Sequence, residues 1–76
     1  MIYNEYLKRK LVMLQNEMVD LQKQIWNCED TKEQQLLSLE LKGLSVQETA
    51  LRFRLFNKNI WITPTKEYID IFLKNA

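Results

Sequence analysis

Apolar residues fall at Leu7, Leu11, Leu14, Met18, Leu21 and Ile25, with Cys28 next. The steps alternate four and three without a fault. That rhythm is the a/d seam of a coiled coil or a long helical hairpin. A helix over about residues 2–27 would be roughly 39 Å long at 1.5 Å per residue. Its outward positions carry Lys8, Arg9, Asn16, Glu17, Asp20 and Lys23, which suits a wet face.

A second ladder runs Leu37, Leu41, Leu44, Glu48, Leu51, Leu55. It is out of phase with the first, whose extension lands on Lys32, Gln35, Leu39 and Lys42. The phase change predicts a turn over residues 27–31, with one continuous bent helix as the alternative. Asn27 is the candidate left-handed stop. Asp30 or Thr31 is the candidate cap of a helix over about residues 31–57, with Glu33 or Gln34 as reciprocal partner. A chain that folds back there pairs Leu21 with Leu37, Met18 with Leu41, Leu14 with Leu44 and Leu7 with Leu51. The expected fold is all-α: a long antiparallel helical hairpin, coiled-coil-like, plus a short C-terminal helix.

That last helix is read at about residues 64–75. Asn57-Lys58-Asn59 reads as a helix end, and residues 58–63 form a connector. Thr63 is taken as the cap and Pro64 as the first helical residue, where its missing N–H costs nothing. Tyr68, Ile69, Phe72 and Leu73 supply one apolar face. The whole of 1–76 is read as a single helical domain.

A chain of 76 residues buries a modest share of its surface, and small scaffolds usually add a disulfide, a metal or a second subunit. Cys28 is the only cysteine and there is no histidine, so neither an internal disulfide nor a structural zinc site is expected. Self-association is the remaining staple, and a homodimer with a helical-bundle core is expected. The apolar surplus points the same way. Val12, Val19 and Trp26 lie seven apart beside the first seam; Leu39, Val46, Phe53 and Ile60 lie seven apart on the far side of the second helix. One short helix cannot cover both stripes, and exposed apolar area of that size marks an interface. The competing expectation is a monomeric three-helix bundle.

Two positions in the second helix break its pattern. Gly43, the only glycine, costs about 1 kcal/mol against alanine in a helix interior and permits a bend or a close helix approach. Glu48 puts a carboxylate on the leucine seam opposite about Leu11. Either it back-caps Ser45 at a local kink, or it pairs across the seam, with Lys8 or Lys10 in range, and sets register.

Catalysis is not expected. Histidine is absent, Cys28 has no base nearby in sequence, and one glycine cannot build a phosphate loop. No cofactor and no metal is called for. Gly43-Leu44-Ser45 with Glu48 and Ala50 matches the opening of a helix-turn-helix unit, yet Pro64 would break the recognition helix that should come next. Net charge is +1, so no global field draws nucleic acid or lipid. Charge is nevertheless polarised. Residues 29–40 carry four acids and one base, and residues 42–66 carry five bases and one acid.

Trp26, Arg52, Phe53, Arg54, Phe56 and Trp61 are of the types enriched at interface hot spots and are the expected partner-binding residues. Val12, Val19, Leu39, Val46 and Glu48 are the expected oligomer or register residues. The leading functional reading is a non-enzymatic interaction module: an adaptor, inhibitor or regulator that occupies a protein partner's surface. The alternatives are a nucleic-acid-binding regulator using the basic 42–66 region and a structural coiled-coil piece of a larger assembly. No apolar run nears the roughly 18 residues of a membrane span. The N-terminal residues lack the apolar core of a signal peptide. A lone thiol fits a cytoplasmic location, and small cofactor-free chains of this kind suggest a phage or mobile-element regulator by analogy alone.

Overall fold

The computed structural model describes residues 2–74. Two long helices, α1 (Ile2–Asn27) and α2 (Thr31–Asn57), pack against each other as a hairpin. A short α3 (Lys66–Tyr68) runs directly into a π-helical turn (Ile69–Leu73). The molecule is 44 × 21 × 17 Å, so its long axis is close to one helix length.

Both ladders meet as their phases require. Leu7, Leu11, Leu14, Leu51 and Leu55 form one buried cluster, with Leu44, Ile60 and Ile62 against it. Met18, Val19 and Tyr68 form a second, closed by Leu41, Leu44, Ile71, Phe72 and Leu73. Burial weakens toward the 28–30 turn, where Ile25, Leu37 and Leu41 are only partly covered. Two helices alone cannot enclose a core, and the terminal segment reaches only the middle and base of the hairpin.

The turn is built differently from the expectation. Asn27 is not left-handed, since Asn59 is the one described non-glycine residue with positive φ. The Gln34 side chain instead closes α1, its amide nitrogen donating to the carbonyls of Ile25 and Cys28. Asp30 caps α2, its Oδ1 accepting from the Lys32 N–H at 3.0 Å. Gln34 is thus spent on the preceding helix rather than on a reciprocal cap.

At the other end of α2, Asn59 has φ 60°. Its N–H donates to Phe56 O at 2.9 Å, and the Ile60 N–H donates to Leu55 O at 3.0 Å. These two bonds define a Schellman stop, and Ile60 packs back on the cluster that holds Leu55.

The third helix starts later than the Thr63-Pro64 pair suggests. Thr65 is the cap, its Oγ1 accepting from the Tyr68 N–H at 3.3 Å, and Pro64 precedes it in the connector. The last residues assigned to this helix from sequence, beyond 74, lie outside the described residues. The wider π turn, with Lys74 N–H donating to Ile69 O, brings Ile71, Phe72 and Leu73 together onto the second cluster.

Gly43 neither breaks nor starts a helix: α2 is continuous through it. The helix-turn-helix-like stretch is therefore helix interior, and α2 leads into a connector rather than a recognition helix. No helix of the described residues is long and apolar enough to cross a membrane.

Candidate partner-docking surface

The partner-binding candidates rest on a scaffold set by one buried carboxylate. Glu48 is 1% exposed. Its Oε2 accepts from Gln15 Nε2 across the hairpin at 3.0 Å, and its Oε1 accepts from Arg52 Nη2 one turn on at 3.0 Å. The expected partners Lys8 and Lys10 are not used: Lys8 pairs with Glu5 on the surface. Nor does Glu48 cap Ser45, which lies within unbroken helix. The carboxylate does cross the seam, but through an amide from the α3 side of α1. Gln15 is in step with Val12 and Val19, the flank that α3 covers, and that phase is the signal in the sequence.

Tyr68 completes the node. It is 2% exposed and its ring lies 5.1 Å from that of Phe72. Burial, then the negative charge of Glu48, push its phenol up to about 12, with Arg52 opposing. On the outside of the same junction, Lys23 pairs with Glu67, whose carboxylate holds the Lys23 ammonium above its ordinary value.

The node holds Arg52 by one edge while leaving its side chain 44% exposed. Beside it lies a cavity of about 100 Å³ with an apolar floor of Leu11, Leu55, Ile60 and Ile62. Arg52, Phe56 and Trp61 also line it, with Pro64 and Leu73. Phe56 and Trp61 meet edge to face, centroids 6.3 Å apart, and both remain largely exposed. They do not clamp the third helix; Tyr68 and Phe72 do that against Met18 and Val19. At the same end of the hairpin Lys58 Nζ sits 4.6 Å from the Tyr3 ring centroid, and Arg54 Nη1 donates to Tyr3 Oη at 3.3 Å. Tyr3 is missed by periodicity because it precedes the first seam residue.

Of the candidates, then, Arg52, Phe56 and Trp61 share one cavity, and Arg54 stands on the same end of the hairpin. Trp26 is exposed at the opposite end, beside the 28–30 turn. Phe53, Leu39 and Val46 are exposed along the outer side of α2. Val12 is at the edge of exposure, and Val19 is buried by the terminal segment. Val19 is thus unavailable as an oligomer contact, and Glu48 is enclosed within the single chain. No family model, curated protein or solved structure matches this chain.

Proposed function

We propose that this chain is a non-enzymatic interaction module, an adaptor, inhibitor or regulator that works by occupying a protein partner's surface, and that it does so as a dimer of hairpins. The observation that carries the docking reading is the apolar cavity framed by Phe56, Trp61 and the half-exposed Arg52 guanidinium. A pocket of about 100 Å³ suits one apolar anchor side chain. The Arg52 guanidinium on its rim suits a carboxylate next to that anchor. A helical or extended segment pairing an apolar residue with acidic neighbours is the partner chemistry that fits. The lone thiol supports a cytoplasmic setting.

The test is affinity capture by the immobilised chain, followed by affinity measurement with the captured protein. Trp61→Ala should weaken binding by roughly thirtyfold, the effect of a 2 kcal/mol hot spot, with helical content unchanged because the residue is 76% exposed. Trp26→Ala should leave binding intact. The reverse pattern would move the docking site to the hairpin tip. Arg52→Glu is a poor probe, since it sets a second carboxylate against buried Glu48.

A second reading is favoured by the Arg54, Lys58 and Tyr3 cluster, whose two cations and exposed aromatic ring suit a nucleic-acid strand. Retardation of single- or double-stranded nucleic acid at low salt, lost on Lys58→Glu, would favour it. Absence of any retardation removes it.

A further inference from the structure

The outer side of α2 carries a second seam that nothing in the single chain uses. Leu36, Leu39, Gly43, Val46, Ala50 and Phe53 succeed each other at steps of three and four. They occupy the face turned away from the Leu37–Leu55 ladder and α1. All six are exposed, and the four large ones are 64–68% exposed. A Cβ added to Gly43 would meet nothing within 4 Å, so no contact within the chain requires a glycine there. The chain exposes 5898 Å², against roughly 4,900 Å² for a compact monomer of its mass. The surplus is on the scale of the roughly 800 Å² that each partner contributes to a standard interface.

We infer that this face binds a second copy of the chain, α2 against α2 and antiparallel, with the two-fold axis between Leu44 and Ser45. The inference deepens the dimer reading above and rests on it. In this register each seam residue meets one of complementary size. Leu36 faces the second copy's Phe53, Leu39 its Ala50, and Gly43 its Val46, each layer occurring twice by symmetry. The glycine and the alanine let the two backbones approach around the centre, where the larger residues from the other chain fill the space.

Charge selects the same direction. On the flank of the seam Glu33 comes near the second copy's Arg54, again twice. Both are exposed and in the acidic and basic halves of the helix respectively. A parallel pair would put Glu33 and Arg54 of the two chains on opposite flanks, forgoing this attraction, and would stack Gly43 on Gly43, leaving that layer empty. Because α1 lies on the opposite side of α2, the four long helices stand in a row, α1–α2–α2–α1, rather than around a common axis. The Phe56–Trp61 cavity stays outside this interface, so the dimer offers two docking sites.

The test is sedimentation equilibrium on the intact chain, with cross-linking in a Cys28→Ser background. The wild type should be dimeric at micromolar concentration. Gly43→Leu should be monomeric there with unchanged helical content, because the added side chain points into open space in the single chain. Glu33→Arg should weaken the dimer by roughly tenfold through its two exposed pairs, and Glu33→Arg with Arg54→Glu should restore it. A mixture of Leu39→Cys and Ala50→Cys chains should cross-link between the two species, and neither should cross-link with itself. A wild type that stays monomeric at high micromolar concentration overturns the inference while leaving capture through Trp61 standing. A dimer in which Leu39→Cys links to itself overturns the antiparallel register alone.

Discussion

Glu48 shows how one residue ties three elements together. A carboxylate on a leucine seam is destabilising unless its oxygens are matched, and here Gln15 from α1 and Arg52 from α2 match both. Among the described residues no buried side-chain polar atom lacks a partner. Glu48→Leu should therefore lower stability by about 1–3 kcal/mol, because the Gln15 amide stays buried without its acceptor. Adding Gln15→Leu should recover most of that loss, as replacing both members of a buried polar pair often does. Urea denaturation of the two variants checks it.

The same node makes stability depend on pH in the alkaline range. The Tyr68 phenol is held up to about 12 in the folded chain and has its ordinary value near 10 when unfolded. The folded state keeps the proton longer, so this stabilisation is complete below pH 10 and is lost as pH rises from 10 toward 12. Tyr68→Phe should flatten that part of a stability–pH profile, and tyrosinate absorbance should show one late-titrating tyrosine in the wild type. Asn59 is the third residue whose role is specific. Its left-handed backbone carries the Schellman stop, so Asn59→Val should cost about 1–2 kcal/mol, while Asn59→Gly should cost little in a thermal melt.

For the elements, helix ends and helix faces have separate causes. α2 keeps one phase from Leu41 to Leu55 because these layers pack on α1, and that packing carries the helix through Gly43. Gly43→Ala should raise stability by about 1 kcal/mol in dilute solution, where the added methyl meets only water. The terminal segment is held by apolar contact, with Tyr68 and Phe72 closing over Met18 and Val19. Its surface pair Lys23–Glu67 has both side chains about half exposed, and such pairs contribute little.

Taken whole, the molecule is a hairpin with a partial third layer, and its outer α2 face is left open. If that face is closed by a second copy, stability is coupled to association. The melting temperature should then rise with protein concentration in the wild type and not in Gly43→Leu. Scanning calorimetry over a hundredfold concentration range checks this. Docking at the Phe56–Trp61 end is independent of that coupling, since the two surfaces lie on different sides of the chain.

How much of this was legible in the amino-acid order depends on the range of each interaction. The two ladders, their phase change, the Asp30 cap and the Asn57–Asn59 stop are local or strictly periodic, and the hairpin, with Met18 against Leu41 and Leu7 and Leu14 among Leu44 and Leu51, results from them. The partner-binding candidates were legible as residue types, and their division between the two ends of the hairpin comes from the same pairing. What periodicity could not supply was the docking of the terminal segment, because a short helix carries too little pattern to say which flank it will cover. Its placement on the Val19 side buried Val19 and Gln15, turned Tyr68 into a neighbour of Glu48, and left Leu39, Val46 and Phe53 in water. Two helices and their mutual register belong to the order of residues alone, since repeat and phase are properties of the chain. Which apolar stripe becomes core and which stays surface is a property of the folded molecule, since it turns on the long-range packing of the C-terminal turn against α1.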